Sequence, residues 1–443
     1  MTKEEVLRLI KEEDVEFIRL QFTDILGNLK NIAVTAKQLD RVLTRGCKFD
    51  AAAVDGTGTI GSLGSERLLA PDYDTFAIFP WRPQQGRVAR LFCNVLMPDG
   101  KPNPADVRSV LERVCKEAAE KGYRLEVGPE CEFFLFDTDE NTYPTVTTHE
   151  QAGYFDVGPM DGGENARRDI VLNLEEMGVD IVASHHEQAP AQHEIDLAHE
   201  EALHAADNIQ TFRLAARTIA RRHGLHATFM PRPREEENGS GMHLNFSVHV
   251  GEKNLFGDGE DAMGLSREAY WFMGGVMKHL RAICAVTNPL VNSYKRLLPG
   301  AGAPFYIAWS CRNRNQMFRI PATMQDEGTR IELRSPDPAC NPYLALALCL
   351  AAGLEGIREQ TGPMPALDED PAKISLEELR ERKIERLPKT LLEAVEEFER
   401  DPFVRRVLGD AITDRYAKIK RAEWEAYHSH VSDWELQEYL KKY

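Results

Sequence analysis

The sequence of 443 residues has no long hydrophobic run, no excess of positive charge and no clustered cysteines. Its longest apolar run, 343–352, is shorter than the ~20 residues that a membrane-spanning helix requires. The 54 Lys and Arg against 71 Asp and Glu give a formal net charge of −17. Nucleic acids and anionic membrane surfaces attract clustered cations, so we expect neither of them to be the main partner.

The eight cysteines contain no Cys-x-x-Cys pair. Their even number alone is a weak reason to expect disulfides, and reduced thiols in a cytoplasmic protein are the better interpretation. At the N-terminus, Thr2 precedes Glu5 by three positions, which predicts a helix with a capping box rather than a secretory signal. We therefore expect a cytoplasmic protein.

A chain of this length, with 42% hydrophobic and 28% charged residues, is typical of a globular protein with two or three folding units. Alternating segments at 15–22 and 87–95 predict a small sheet domain, with a turn at Gly27. Three prolines within 97–104 indicate a connector. We place the domain boundary there, with one domain at 1–102 and the other at 103–443.

The second domain mixes predicted helices and strands, so the fold class is α+β. From Ser375 onward the chain is mostly charged helix, which is typical of a solvated outer face or a subunit contact. The predicted strands are 125–127, 132–136, 227–230 and 242–250, and the predicted helices are 106–119, 165–177 and 202–222.

One glycine-rich string, Gly56-Thr57-Gly58-Thr59-Ile60-Gly61, matches the dinucleotide-binding fingerprint. A genuine fingerprint opens a helix whose N-terminus faces the pyrophosphate. Here Gly64 and Pro71 follow instead of a helical pattern. A flexible loop is therefore the better prediction for this segment.

Polar residues alternate with apolar ones in three predicted strands. In 242–250 the odd positions are His, Asn, Ser and His, whereas the even positions are all apolar. The segments 330–334 and 130–132 repeat this pattern with arginines and glutamates. Each could be an ordinary solvated sheet face. The alternative is a buried site with polar ligands on one face.

Carboxylates next to apolar strands are costly unless they are paired or bound to a cation, which favours the second interpretation. Five glutamates and one histidine form an oxygen-dominated set that suits Mg²⁺ or Mn²⁺ better than zinc or copper. The predicted metal ligands are Glu130, Glu132, Glu187, Glu194, Glu332 and His243.

Arginines are concentrated at 296–334 in an otherwise acidic chain. Guanidinium groups bind carboxylates and phosphates through two hydrogen bonds, so metals with arginines indicate phosphoryl transfer to an acidic substrate. Ion pairs with the abundant acids are the alternative for any single arginine. The arginines are Arg296, Arg312, Arg314, Arg319, Arg330 and Arg334.

Several strings together resemble the bacterial type I glutamine synthetases, in the order in which that family carries them. The strings are Gly128-Pro129-Glu130-Cys131-Glu132, His185-His186-Glu187, Gln192-His193-Glu194-Ile195-Asp196, Asn238-Gly239-Ser240-Gly241-Met242-His243, Asn292-Ser293-Tyr294-Lys295-Arg296 and Arg330-Ile331-Glu332-Leu333-Arg334.

The resemblance implies an N-terminal β-grasp domain and a C-terminal catalytic domain with a curved antiparallel sheet. It also implies a dodecamer of two hexameric rings, in which Asp50 completes the site of a neighbouring subunit. The implied reaction activates the γ-carboxylate of L-glutamate with ATP, and an amine then displaces phosphate from γ-glutamyl phosphate.

The resemblance also assigns roles to single residues. Asp50, Glu187 and Arg314 would be catalytic. Glu132, Glu187 and Glu194 would hold one divalent ion, and Glu130, His243 and Glu332 another. Asn238, Gly239, Arg296 and Arg334 would bind glutamate, while Ser247, Arg314, Arg319 and Arg330 would bind ATP.

The departures from the family pattern concern the amine. The usual Asp-Gly-Ser-Ser reads Asp50-Ala51-Ala52-Ala53, and the flap Pro-Gly-Tyr-Glu-Ala-Pro has Gly302 in place of its glutamate. Loss of a general base typically costs ~10²- to 10⁴-fold in rate. Three hypotheses follow: ligation of ammonia or a small primary amine, ligation of a larger amine such as methylamine, ethanolamine or a polyamine, and a catalytically weak binding or regulatory protein.

Overall fold

The computed structural model describes residues 1–54, 65–82, 85–300, 302–322 and 328–443. The glycine-rich string at 56–61, predicted to be a loop, lies outside the described residues, as do Gly64 and Ala301. No helix in the described part of the chain is both long and apolar enough to cross a bilayer.

The N-terminal part is a mixed sheet covered by two helices, Lys3–Glu12 (α1) and Ala36–Arg45 (α2). The strand order is β2-β1-β6-β4-β3, with β5 paired to β6, and β1 runs parallel to β6. Its strands are Val15–Thr23 (β1), Leu29–Thr35 (β2), Cys47–Asp50 (β3), Glu66–Pro71 (β4), Ala77–Ile78 (β5) and Arg87–Leu96 (β6).

Local sequence explains this domain well. Thr2 and Glu5 form the predicted capping box at the start of α1. The apolar face of α1 buries Val6 and Ile10 in a cluster that includes Ile18 of β1. The predicted strands at 15–22 and 87–95 are confirmed as β1 and β6.

The turn between β1 and β2 fixes the N-terminal sheet to the rest of the chain. Gly27 has φ +87°, and a Cβ there would lie only 2.9 Å from the Cα of Asn341. Asn341 Nδ2 donates to the carbonyl oxygen of Asp24 at 3.1 Å, and Gln210 Nε2 donates to that of Gly27 at 3.1 Å. Gly27 is therefore required by both its backbone angle and this close approach.

The larger part of the molecule is a curved, largely antiparallel sheet with order β14-β15-β16-β12-β7-β9-β8. Short strands β10 and β11 pair with β7, and β13 pairs with β12. The strands are Arg124–Asp137 (β7), Ile181–His186 (β8), Gln192–Leu197 (β9), Glu200–Glu201 (β10), Leu225–Thr228 (β11), Met242–Val250 (β12), Lys253–Asn254 (β13), Trp309–Ser310 (β14), Phe318–Arg319 (β15) and Ile331–Leu333 (β16).

Helices cover the outside of this sheet. The apolar run at 343–352 lies within the buried helix α8, which packs against α6. The charged C-terminal helices α9 to α12 begin after Ser375, as predicted. The helices are Val107–Ala119 (α3), Glu164–Glu176 (α4), Ala202–Arg222 (α5), Arg267–Thr287 (α6), Ser293–Arg296 (α7), Pro342–Glu359 (α8), Leu376–Glu381 (α9), Leu391–Arg400 (α10), Pro402–His428 (α11) and Asp433–Tyr439 (α12).

The sequence predicted strands in the right regions of this sheet, but two of the strand boundaries were wrong. The segments 125–127 and 132–136 form one strand, β7, rather than two. Gly128 and Pro129 do not break it because β12 pairs with its first half and β9 with its second half. The strand predicted at 227–230 is shifted to 225–228, since β11 pairs with the end of β7 immediately after the turn at Gly224.

A buried ionic network joins helices α3 and α5 to the N-terminal part. Arg108 of α3 is 3% exposed and donates from Nε and Nη2 to Asp207 of α5 at 3.1 and 2.8 Å. Its Nη1 and Nη2 also reach Asn94 and Asp72 of the N-terminal part at 2.8 and 2.7 Å. Burial lowers the pKa of Arg108, but Asp207, together with Tyr343 and Asp72, raises it above its ordinary value. The guanidinium therefore stays charged and links these elements.

Candidate active site

The register of the curved sheet brings the predicted metal ligands together. Glu130 and Glu132 lie two residues apart on one face of β7. His243 of β12 is directly opposite Glu130, and Glu194 of β9 is directly opposite Glu132. On the far side of β12, Glu332 of β16 pairs with Asn245.

The polar face of β12 is buried and is not a solvated surface. His243 is 6% exposed, whereas Asn245 and Ser247 are each 3% exposed. The alternation in 242–250 therefore marks the floor of a site, as the second interpretation of the sequence required.

A cavity of about 400 Å³ opens over this floor. It brings together eleven of the residues predicted for the site: Glu130, Glu132, Glu187, Glu194, Asn238, Gly239, His243, Arg296, Arg314, Arg319 and Arg334.

Glu130 is the most strongly acidic carboxylate of the cavity. Its Oε2 lies 3.0 Å from His243 Nδ1, and its Oε1 accepts a hydrogen bond from Asn245 Nδ2 at 3.0 Å. Burial raises the pKa of Glu130, but the bonds from His243 and Asn245 outweigh burial and lower the pKa to about 2. Glu130 is therefore an anion that is ready to bind a cation.

The pKa values of the neighbouring acids shift in the opposite direction. Burial, followed by the charges of Glu132 and Asp196, raises the pKa of Glu194 well above its ordinary value. Burial also raises the pKa of Glu132, and burial together with the Glu130 charge raises that of Asp196 to about 7. Buried acids repel one another in this way unless a cation or proton separates them.

These donors fit a pair of divalent ions. One ligand atom each from Glu130, Glu194 and His243 lies within 4.8 Å of the others, and so do atoms of His185, Glu187 and Glu194. Among the described residues, the buried Asp196 Oδ1 has no hydrogen-bond partner. The predicted division of ligands between two ions stays a prediction. Glu194 belongs to both of these groups of atoms.

Glu332 is fully buried and does not line the cavity, but it contacts three residues that do. Its Oε1 is 3.6 Å from His243 Nδ1, its Oε2 accepts from Arg319 Nη1 at 3.1 Å, and its Oε1 also accepts from Arg334 Nη1. Burial lowers the pKa of Arg334, but the Glu332 charge outweighs burial and raises it. The buried Nε of Arg334 has no partner in the part of the chain described.

The other residues predicted to bind the substrate glutamate line the same cavity as Gly302. Arg296 is 2% exposed and donates from Nη1 to the carbonyl oxygens of Ser335 and Pro336 at 2.7 and 3.2 Å, which anchors it in the wall. Asn238 Nδ2 donates to Gln188 Oε1 at 2.9 Å. Its side chain faces the flap glycine.

Ser247 and Arg330 lie in a second cavity of about 410 Å³, next to the first. Glu130 and Asp196 line both cavities. Arg330 Nε donates to Asn245 Oδ1 at 3.1 Å, which places the guanidinium at the boundary between the two. The four predicted ATP ligands are thus divided: Arg314 and Arg319 line the first cavity, Ser247 and Arg330 the second.

Asp50 lines neither cavity. It is exposed at the end of β3, where its side chain accepts a hydrogen bond from the backbone N–H of Ala52 at 2.8 Å. Hydrogen bonds from Ser65 and then Ala52 lower the pKa of Asp50. The predicted contribution of Asp50 to a neighbouring subunit's site stays a prediction.

A further group of acids and histidines lies behind the β8–β9 hairpin. Arg167 Nη1 is 2.6 Å from Asp161 Oδ2 and 2.7 Å from His193 Nδ1. His186 Nε2 is 2.7 Å from Glu150 Oε1. Each carboxylate of this group already has a partner, Arg167 for Asp161 and His186 for Glu150, so we assign the group a structural role: it holds the hairpin that carries Glu187 and Glu194.

Sequence reasoning missed several residues of the two cavities. Asp196 follows Glu194 by two positions on β9, so strand alternation could have placed it on the same face. His249 shares the polar face of β12 and lies 3.1 Å from Ser247 Oγ through its Nε2. Tyr154 and Gln188 line the first cavity, but they are in loops with no periodicity to reveal them.

Comparison with known proteins agrees with this geometry. Residues 104–439 match the family model described as glutamine synthetase, catalytic domain, and residues 14–98 match glutamine synthetase, beta-Grasp domain. Glutamine synthetase of Clostridium saccharobutylicum is 52% identical over 442 residues, covering 100% of this chain and 99% of that protein. A Staphylococcus aureus glutamine synthetase is 48% identical over 443 residues, with the same coverage.

Two solved structures are also similar. The ADP complex of GmaS superposes with a TM-score of 0.88 at 34% identity, covering 98% of this chain and 99% of that one. The glutamine synthetase of Plasmodium falciparum has a TM-score of 0.86 at 24% identity, covering 99% of each chain, and shows the shared fold.

The fold and the cavity of carboxylates and arginines define an ATP-dependent carboxylate–amine ligase. The chain belongs to the glutamine synthetase family, as its sequence strings indicated. Its activity is the ATP-dependent joining of L-glutamate to an amine, and the family uses divalent metal ions for that reaction. The β-grasp and catalytic domains predicted from the sequence are confirmed, while the boundary at 102 stays a prediction.

Proposed function

We propose that this enzyme transfers the γ-glutamyl group preferentially to a primary amine larger than ammonia, with ammonia as a weaker acceptor. Gly302 is the observation that carries the proposal. Its φ of +81° is strained for any residue with a side chain, and a Cβ there would lie 3.0 Å from Asn238 Cγ. A side chain at this position would therefore crowd Asn238, and the flap carries no carboxylate where the family has its glutamate.

Ammonia arrives mainly as ammonium, which can be held only through its charge and its N–H hydrogen bonds. Without the flap carboxylate, both its deprotonation and its binding are weakened. A larger amine brings a tail, and binding energy from a part of the substrate that does not react can offset the missing contact. The absence of the flap carboxylate thus favours an acceptor with such a tail.

The proposed reaction has two steps. A γ-carboxylate oxygen of glutamate attacks the γ-phosphorus of ATP, giving γ-glutamyl phosphate and ADP. The amine nitrogen then attacks the carbonyl carbon of γ-glutamyl phosphate, phosphate leaves, and the nitrogen loses a proton. We propose that Asn238, Gly239, Arg296 and Arg334 hold glutamate, and that Ser247, Arg314, Arg319 and Arg330 hold ATP and the phosphoryl group.

Two Mg²⁺ or Mn²⁺ ions, when bound, would neutralise charge on the transferred phosphoryl group. The proposed ligands are Glu130, Glu132, Glu187, Glu194, His243 and Glu332. Support comes from the oxygen-rich donor set and from the repulsion among Glu132, Glu194 and Asp196, which a divalent cation would relieve.

We also propose that the enzyme works as a dodecamer of two hexameric rings in the cytoplasm. The exposed position of Asp50, away from its own chain's cavities, supports completion of the site by a neighbour. The eight cysteines, all within the described residues, are free, which supports a reducing compartment.

The test is phosphate release from ATP with Mg²⁺ and L-glutamate in the presence of ammonium, methylamine, ethanolamine, propylamine or putrescine. We expect kcat/KM for the best of these amines to exceed that for ammonium by about tenfold or more, since one or two good apolar contacts are worth that much. Reactions without glutamate serve as the control.

Two outcomes contradict the proposal in different ways. If ammonium is the best acceptor, the argument from Gly302 is wrong. If no amine raises phosphate release above the rate without amine, the catalytically weak binding or regulatory protein becomes the better description.

A further inference from the structure

A third cavity, of about 250 Å³, lies next to the central cavity. It is lined by residues of the flap, of the loop before β15 and of a short 3-10 turn, Pro371–Lys373. Gly302, Asn315 and Arg334 line both this cavity and the central one. The two spaces therefore adjoin at the flap glycine.

About half of the lining of this cavity is apolar. Phe305 is 8% exposed, and the guanidinium of Arg386 covers its ring with Cζ at 4.7 Å from the centroid. Pro304 and Tyr306 are half-buried, and Pro371 is buried. Such a surface gains free energy when it covers methylene or ring carbons and thereby removes them from water.

The charged groups at the cavity are already engaged. Arg334 at the shared wall forms an ion pair with Glu332. Asp370 Oδ1 accepts from the backbone N–H of Ala372 at 3.0 Å, and its Oδ2 lies 3.7 Å from Lys373 Nζ. Because the carboxylates of Glu332 and Asp370 are paired in this way, a second ammonium group on the amine would find no free carboxylate there. The lining thus favours an uncharged tail.

We propose that this third cavity is a binding subsite for the tail of the acceptor, and that the acceptor is a primary amine with a short, uncharged tail. This inference rests on the proposed function, because it assumes that the reacting nitrogen lies in the central cavity. The subsite then determines which amines are used, through tail length and tail charge.

The first arm of the test compares methylamine, ethylamine, propylamine and butylamine with the wild-type enzyme. We expect kcat/KM to rise about threefold to fourfold per added methylene, the gain for burying one such group. Putrescine, which has the carbon chain of butylamine and a second ammonium group, is expected to react at least about tenfold more slowly than butylamine.

The second arm fills the subsite. Ala372 is exposed at the cavity rim, so Ala372→Leu projects a larger side chain into the space without disturbing a buried core. We expect the butylamine-to-methylamine ratio of kcat/KM to fall about tenfold. Because methylamine is measured in the same preparation, a general loss of folded enzyme cannot produce this change in ratio.

The matched control is Ala366→Leu, the same change at an exposed alanine of the preceding loop that does not line the cavity. It should leave the ratio unchanged. A flat chain-length series, a preference for putrescine, or an equal effect of both leucine variants would overturn the subsite. If amines are used without any length dependence, only the subsite fails; if no amine is used, the proposed function fails with it.

Discussion

Replacing Glu194 by glutamine is expected to lower the rate of glutamate- and amine-dependent phosphate release by about a thousandfold or more. Glu194 contributes an atom to both groups of candidate metal ligands, and it lies opposite Glu132 across the sheet. Glutamine keeps the size of the side chain but removes the negative charge that a divalent ion requires. Both proposed ion positions should therefore weaken together.

The measurement has two readouts, the steady-state rate at saturating Mg²⁺ and the binding of Mn²⁺ followed by electron paramagnetic resonance. Loss of both is expected. The control is Glu200→Gln, which alters a half-buried glutamate on β10 of the same sheet but outside both cavities. A Glu194→Gln enzyme that keeps its Mn²⁺ affinity and its rate would show that the ions, if any, bind elsewhere.

The largest expected effect on stability comes from Arg108. Arg108→Met should lower the free energy of unfolding by about 3–5 kcal/mol, the usual cost of removing one partner of a buried ionic network. Methionine fills the space, but Asp207 is left buried at 3% exposure, with the hydroxyl of Tyr343 at 2.6 Å. The link from α3 to Asp72 and Asn94 of the N-terminal sheet is lost as well.

Urea unfolding at one fixed protein concentration, monitored by circular dichroism, measures this effect, because subunit association also alters apparent stability. The control is Arg8→Met, which removes an exposed i,i+4 pair with Glu12 at 3.8 Å. It should change stability by less than about 0.5 kcal/mol. If the two variants unfold at the same urea concentration, the Arg108 network does not contribute measurably to the free energy of unfolding.

The main elements of the site could be predicted from the sequence because they are local. Strand alternation in 242–250 and at Glu130 and Glu132 places ligands on one face, and hydrophobic periodicity outlines α5. The same reasoning extends to Asp196, which shares a face of β9 with Glu194. These features depend on residues two to four positions apart, so they are visible in a single sequence.

Features that depend on distant segments could not be predicted in the same way. The third cavity is lined by residues near 300, 315 and 371, and no local sequence pattern predicts that these segments lie together. Gly302 was recognised as a departure from the family flap, but its crowding against Asn238 is a tertiary contact. Likewise, Glu332 reads as a metal ligand in the sequence, whereas the structure also pairs it with Arg319 and Arg334.

The central claim, that the acceptor is an amine larger than ammonia, is tested most directly by competition in a single reaction. The wild-type enzyme receives ATP, Mg²⁺, L-glutamate and equal concentrations of ammonium and propylamine, and mass spectrometry measures the ratio of the two amide products. That ratio equals the ratio of the two kcat/KM values. We predict that γ-glutamyl propylamide exceeds glutamine by about tenfold or more. Glutamine as the equal or larger product would contradict the claim.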